Sequence, residues 1–171
     1  AKKLGAAKVT AAYLPASQAP AAKTLDTIAD KPLRHLALMP SNFASSRQGR
    51  EMALFAVQRM ARNDPLQAAQ QWEGIKDKFS AADRGYIYGQ LGWQGALRHL
   101  PEALGWYARA AGTPFSDEQA AWKARAALRA LTRRVLSACA LTTSDSRHMA
   151  ERMRALGAGE VMTFPFGLDA L

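Results

Sequence analysis

Six large aromatic side chains fall in one stretch of the chain: Tyr86, Tyr88, Trp93, Trp106, Tyr107 and Trp122. Rings of this kind stack on the flat faces of sugars. At helical spacing the same rings pack one helix against another. Four arginines, Arg47, Arg50, Arg84 and Arg98, can meet anionic groups of a ligand or lie on a solvated face. The histidines His35, His99 and His148 are far apart, with no second ligand three or four residues on. That pattern argues against a metal site and for surface or capping roles. Cys139 stands alone, so no internal disulfide can form, and no activating residue pattern surrounds it. Nothing in these residues implies a cofactor.

The elements that must position these residues are helices. Hydrophobic residues make up 49% of the chain, but alanine and leucine carry that share while valine and isoleucine are sparse. Such a balance favours helix over sheet. Lys2 to Tyr13 reads as a short helix closed by Leu14-Pro15. Pro20 fits the first turn of a helix running to about Asp30, and a short piece follows from Leu33 to Met39. Ser45 or Ser46 caps a long helix to about Asn63. Asp64-Pro65 is a cap followed by a first-turn proline, and Ala68, Trp72, Ile75 and Phe79 then fall on one face. Ser80 starts a helix weakened by Gly85, Gly89, Gly92 and Gly95, which make sense where another helix crosses closely. Leu100-Pro101 opens the next, with Leu104, Tyr107 and Ala111 on one side, stopped by Gly112 and Pro114. Ser116-Asp-Glu-Gln119 has the capping-box form. Behind it Ala121, Ala124, Leu128 and Leu131 share a face. No strand is evident before residue 131.

Two offsets recur. Ala69 and Trp72 are matched by Ala103 and Trp106, 34 residues on. Phe79-Ser80, Asp83 and Tyr86 are matched by Phe115-Ser116, Gln119 and Trp122, 36 residues on. A period near 34 marks stacked helix pairs of the tetratricopeptide type. The expected fold is therefore all-α: antiparallel helix pairs stacked in a right-handed superhelix over residues 1–131, followed by an atypical tail over 132–171.

Lysine and arginine number 23 against 14 acids, a net charge of +9. That field attracts nucleic acid, anionic membranes or acidic wall polymers alike. No run of five basic residues occurs, so a nucleic-acid partner is not expected. No apolar run approaches the ~20 residues that span a bilayer. The chain opens Ala1-Lys2-Lys3 without methionine or signal peptide, which reads as a mature product or an internal fragment.

From the first helix to about Arg129 the chain resembles the helical region of soluble lytic murein transglycosylases of Gram-negative bacteria. The segments that carry the likeness are Ala11-Ala-Tyr-Leu-Pro15, Asn63-Asp-Pro-Leu-Gln-Ala-Ala69 leading to Trp72, Tyr88-Gly-Gln-Leu-Gly92, Ala103-Leu-Gly-Trp-Tyr107 and Ser116-Asp-Glu-Gln-Ala-Ala-Trp-Lys-Ala-Arg-Ala-Ala-Leu-Arg129. The resemblance implies a periplasmic protein of peptidoglycan turnover. Such enzymes cleave the β-1,4 bond between N-acetylmuramic acid and N-acetylglucosamine without water and leave a 1,6-anhydro sugar. Their helical region curls around a lysozyme-like C-terminal domain and steers glycan strands. That domain carries the acid in a Glu-Ser pair followed by Gly-Leu-Met-Gln.

None of Glu51, Glu73, Glu102, Glu118, Glu151 and Glu160 is followed by serine, and Gly-Leu-Met-Gln is absent. A glycosidase acid also needs a dry cleft that keeps it protonated. The expectation is a non-catalytic scaffold, inactive alone, with no catalytic residue and no metal. Its partners would be glycan strands and the missing catalytic domain, and the glycan-contact candidates are Arg84, Tyr86, Tyr88, Trp93, Trp106 and Trp122. The alternative is a tetratricopeptide-like protein-interaction module with no cell-wall role. Oligomeric state is left open.

The tail departs from the family. One helix is expected from about residue 146 to 156, ended by Gly157, with poor packing beyond. It reads as a divergent repeat or as altered sequence. A third reading is a faint similarity, from Ala155-Leu-Gly-Ala-Gly159 through Phe164-Pro-Phe166, to the end of a response-regulator receiver domain. That reading requires an acidic pocket and a parallel sheet upstream, neither of which the sequence offers.

Overall fold

The computed structural model describes residues 9, 13, 15, 19–144 and 146–163. The helix expected over Lys2 to Tyr13 falls mostly outside these residues, as do Asp145 and the segment 164–171. The described chain is predominantly helical. Helices α1 (Ala22–Asp30), α2 (Pro32–Ala37), α3 (Arg47–Asn63), α4 (Pro65–Ile75), α5 (Ala81–Leu97), α6 (Ala103–Arg109) and α7 (Asp117–Ala138) follow in order. Then come strand β1 (Leu141–Ser144), helix α8 (Arg147–Ala155) and strand β2 (Glu160–Thr163). The chain divides into two compact units, residues 1–123 and 124–171.

Side chains set most of the helix starts. Ser46 Oγ accepts from Gly49 N at 3.0 Å, Asp64 Oδ1 from Gln67 N at 3.0 Å, Ser80 Oγ from Asp83 N at 3.1 Å and Ser146 Oγ from Met149 N at 3.2 Å. Each bond satisfies a donor that the first turn of a helix leaves without a partner. The capping box forms as expected: Gln119 N donates to Ser116 Oγ at 3.3 Å, and Ser116 N to Gln119 Oε1 at 3.1 Å. Pro32 and Pro65 occupy first-turn positions, but Pro20 lies ahead of α1. Helix α4 ends at Ile75 and passes through a 3-10 turn, Lys76–Lys78, before Phe79.

The core of the first unit gathers Phe43, Val57, Trp72, Phe79, Ile87, Tyr88, Leu91 and Trp106. The face expected on α4 is the one that packs: Ala68 and Trp72 are fully buried, Phe79 nearly so, and Ile75 lies against them. Trp72 and Phe79 bring their ring centroids to 4.9 Å, and Trp72 meets Tyr88 edge-on at 6.4 Å.

The close crossing signalled by the glycines joins α5 to α6 and the segment after it. A Cβ on Gly95 would sit 2.7 Å from Trp106 Cζ3, and one on Gly92 2.8 Å from Tyr107 Cγ. The packed face of α6 differs from the expected one. Ala103, Trp106, Tyr107 and Ala110 are buried, Leu104 only partly, and Ala111 is exposed. Alanine wins over leucine here because the glycine groove admits the backbone of α6 along with its rings.

The second unit corrects the all-α expectation. β1 and β2 pair in parallel, Leu141 opposite Glu160 through Ser144 opposite Thr163, with α8 between them in sequence. Poor packing beyond residue 157 is overturned as far as the described residues run. Ala158 and Val161 are buried with Ala150, and Leu136 and Met153 pack against them. Gly157 ends α8 as expected, at φ +98, a backbone region where glycine carries little steric penalty.

Substitutions at glycines of α5 and α6 should therefore act with opposite signs. Alanine at Gly92 gains about 1 kcal/mol of helix propensity but overpacks a buried ring at a cost of about 1–3 kcal/mol. Nothing stands within 4 Å of a Cβ built on Gly105, so alanine there should stabilise by about 0.5–1 kcal/mol. Urea denaturation of G92A and G105A checks this, and stabilisation by G92A would contradict the packing account.

Candidate functional site

Most residues with chemical potential hold the fold. Tyr88 is buried, and its hydroxyl donates to Glu73 Oε1 at 2.8 Å. Arg109 Nη1 donates to the same oxygen at 2.6 Å and lies over the Tyr88 ring, 5.4 Å from its centroid. Lys76 Nζ reaches Glu73 Oε2 at 2.5 Å. One carboxylate thus ties α4, α5 and α6 together. The Lys76 hydrogen bond, helped by Tyr88 and Arg109, pushes the Glu73 carboxyl below its ordinary range. A glycosidase acid needs the opposite shift.

The arginines are spent on carbonyl oxygens. Arg84 Nη1 donates to Phe79 O at 2.9 Å, and Arg50 Nη1 to Ala44 O at 2.6 Å. Arg98 donates to Gln94 O at 3.2 Å and also to Arg62 O. Arg47 makes a loose exposed pair with Glu51, 3.9 Å apart. These carbonyls sit at helix ends and turns, where guanidinium groups supply missing donors.

The expected glycan contacts differ widely in exposure. Tyr88 and Trp106 are buried in the core, and Trp93 and Trp122 are half-buried. Trp122 stands 6.4 Å from the ring of His99, which ends α5 in the left-handed region at φ 61. Tyr86 is the most exposed of the set, at 41%. Tyr107 is sealed in, its hydroxyl donates to Gln119 O at 3.0 Å, and burial pushes its phenol up to about 12. Cys139 is a free exposed thiol. Among the described residues no group of three His, Cys, Asp or Glu side chains could hold a metal ion, and no helix is long and apolar enough to cross a membrane.

Sequence reasoning missed a cleft of about 440 Å³ formed by α1, α2, the turn at 43–45 and the start of α3. Lys31 and Arg34 line it with His35, Asn42, Ser45 and Gln48, over a floor that includes Met39 and Met52, and no carboxylate lines it. Burial lowers the His35 imidazole from its ordinary value, and its Nε2 is buried without a hydrogen-bond partner. Two cations, several neutral hydrogen-bonding groups and no acid suit an anionic polar ligand. The basic residues lie one helical turn apart, Lys31 and Arg34, a weak signal inside a positive chain.

The chain matches no protein-family model, no curated protein and no solved structure.

Glu73 supplies a testable pH dependence. Its folded-state value lies below the ordinary 4.5. Its contribution is therefore fully present above about pH 4.5 and is lost as pH falls through the folded value. For a partly exposed cluster that contribution should stay under about 1 kcal/mol. Denaturation of E73Q against wild type from pH 3 to 7 should show the difference near neutrality and its disappearance in acid; a difference that grows in acid would refute it.

Proposed function

We propose that this chain is a non-catalytic helical scaffold of the lytic-transglycosylase type, which holds peptidoglycan strands for a separate catalytic domain in the periplasm. What supports the reading is the sequence period near 34, whose matched residues have similar settings. Trp72 and Trp106 are both buried, and Phe79-Ser80 and Phe115-Ser116 both turn the chain into a serine-capped helix. Units of this kind bury their faces by stacking, which makes an extended array. Four of the five segments resembling transglycosylases lie between residues 63 and 129, the stretch that holds this period. The Glu73 carboxyl, held ionised by its neighbours, fits a scaffold rather than an acid catalyst.

On this reading the cationic cleft at Lys31 and Arg34 is the glycan contact, matched to the carboxylates of the peptide stems. Tyr86 is the exposed ring available to a sugar. The same period also fits a tetratricopeptide-like interaction module, and the exposed apolar face of α7 favours that second reading.

Pelleting with purified murein sacculi separates the two. Wild type should co-sediment, K31E/R34E should lose at least about tenfold in affinity through two reversed charges, and no anhydro-muropeptides should be released. Sacculus binding that ignores both substitutions removes the cleft from the reading. Absence of binding favours the interaction module, and release of anhydro-muropeptides by the isolated chain overturns the non-catalytic assignment.

A further inference from the structure

The apolar face expected on α7 is the face that stays in solvent. Ala121 and Ala124 are exposed, and Leu128, Leu131 and Val135 are 65%, 58% and 52% exposed. Of the 22 residues of α7 only Ala126 is buried. Within the second unit Leu136 serves the small core of Ala150, Ala158 and Val161. The helix therefore uses one side and leaves an apolar side open.

The open side has an ordered pattern. Ala124, Leu128, Leu131, Val135 and Ala138 follow one another at steps of four, three, four and three. That is the alternation of a two-heptad seam, which seats knobs from one facing helix. Its flanks, Arg125, Ala127, Thr132 and Arg134, carry basic charge only, while Arg129 and Arg133 lie on the outer side. Residues 124–138 contain Arg125, Arg129, Arg133 and Arg134 and no carboxylate. A second copy would offer these arginines no carboxylate from the same stretch. A lipid surface suits the stripe less well, because it lacks the Trp and Phe that anchor interfacial helices, and alanine buries little apolar area.

We propose that residues 124–138 are a docking seam for one amphipathic helix of a partner protein. The partner presents leucine-type side chains at four-three spacing and carboxylates on the flanks. Leu128, Leu131 and Val135 supply the knobs, and Arg134, exposed beside them, reads the acidic flank. This site is independent of the cleft at Lys31 and Arg34 and of any cell-wall role.

The test uses the full chain and a fluorescein-labelled peptide of about three heptads, with leucine on both seam positions and glutamate on the flanks. Anisotropy should show saturable binding that weakens with added salt. A peptide with lysine on the flanks should bind at least about tenfold more weakly. L131D should weaken the glutamate peptide by at least about tenfold, the loss of one buried leucine, and R134E by about twofold. Circular dichroism checks that both variants keep their helix content. The comparison of the two peptides on wild type stands even if a variant fails to fold. The proposal is overturned by absent binding, by equal binding of the two peptides or by binding that ignores L131D. Pelleting on phosphatidylglycerol vesicles, or a dimer in sedimentation, overturns it equally if L131D abolishes that behaviour.

Discussion

The row of glycines on α5 sets how closely the next segment can approach, and much of the first unit depends on that distance. Gly85, Gly89, Gly92 and Gly95 meet Thr113, Phe115, Tyr107 and Trp106 in turn. As α5 ascends, its partner runs back along it. Four missing side chains make room for two buried rings and for Phe115, whose ring meets Tyr107 edge-on at 5.4 Å. Tyr107 then reaches Gln119 O in the first turn of α7. The groove thus orders α5, α6, the turn at 113–116 and the start of α7 together. The cost is intrinsic: each glycine weakens an isolated helix by roughly 1 kcal/mol relative to alanine. α5 is a helix because it is packed.

That dependence explains why the groups best suited to chemistry are committed elsewhere. Helix ends and turns leave carbonyls without a backbone donor. Arg50, Arg84 and Arg98 answer that need at Ala44, Phe79, Gln94 and Arg62. Glu73 does the same for side chains, joining Tyr88, Arg109 and Lys76 across three helices. In a cluster this exposed the ion pairs contribute little stability on their own. The cluster links side chains of α4, α5 and α6 at the rim of the core.

Legibility in the sequence followed the range of the interaction. Caps are local, so Asp64, Ser80 and the Ser116–Gln119 box could be read from spacing alone, and Ser46 as one of two neighbouring serines. The glycine row was legible as a close crossing, though not which residues cross it. Leucine at 104 outweighed alanine at 103 and 110 in the periodicity, and the groove reversed that preference. The parallel pair β1 and β2 left almost no local trace. Leu-Thr-Thr-Ser and Glu-Val-Met-Thr are short, half polar and joined through a helix, and parallel pairing depends on residues far apart in sequence. The cleft was missed for the same reason, because its lining combines two helices and a turn that no single period connects.

α7 inverts the logic of α5. It is rich in alanine, leucine and arginine, which favour helix without help, and its first turn carries a capping box with Asp117 and Glu118 at the positive end of the dipole. Such a helix keeps its shape with a single buried residue. Propensity explains why α7 stands, but it does not explain leucines and a valine in register on its solvent side. Helix propensity ranks lysine and glutamate close to leucine, and either would hold the same helix at lower cost in exposed apolar surface. A packed helix made of poor formers and an open helix made of good ones divide the labour in this chain. The first fixes the scaffold, and the second carries its apolar seam already folded, so that a facing helix would not have to pay for ordering it.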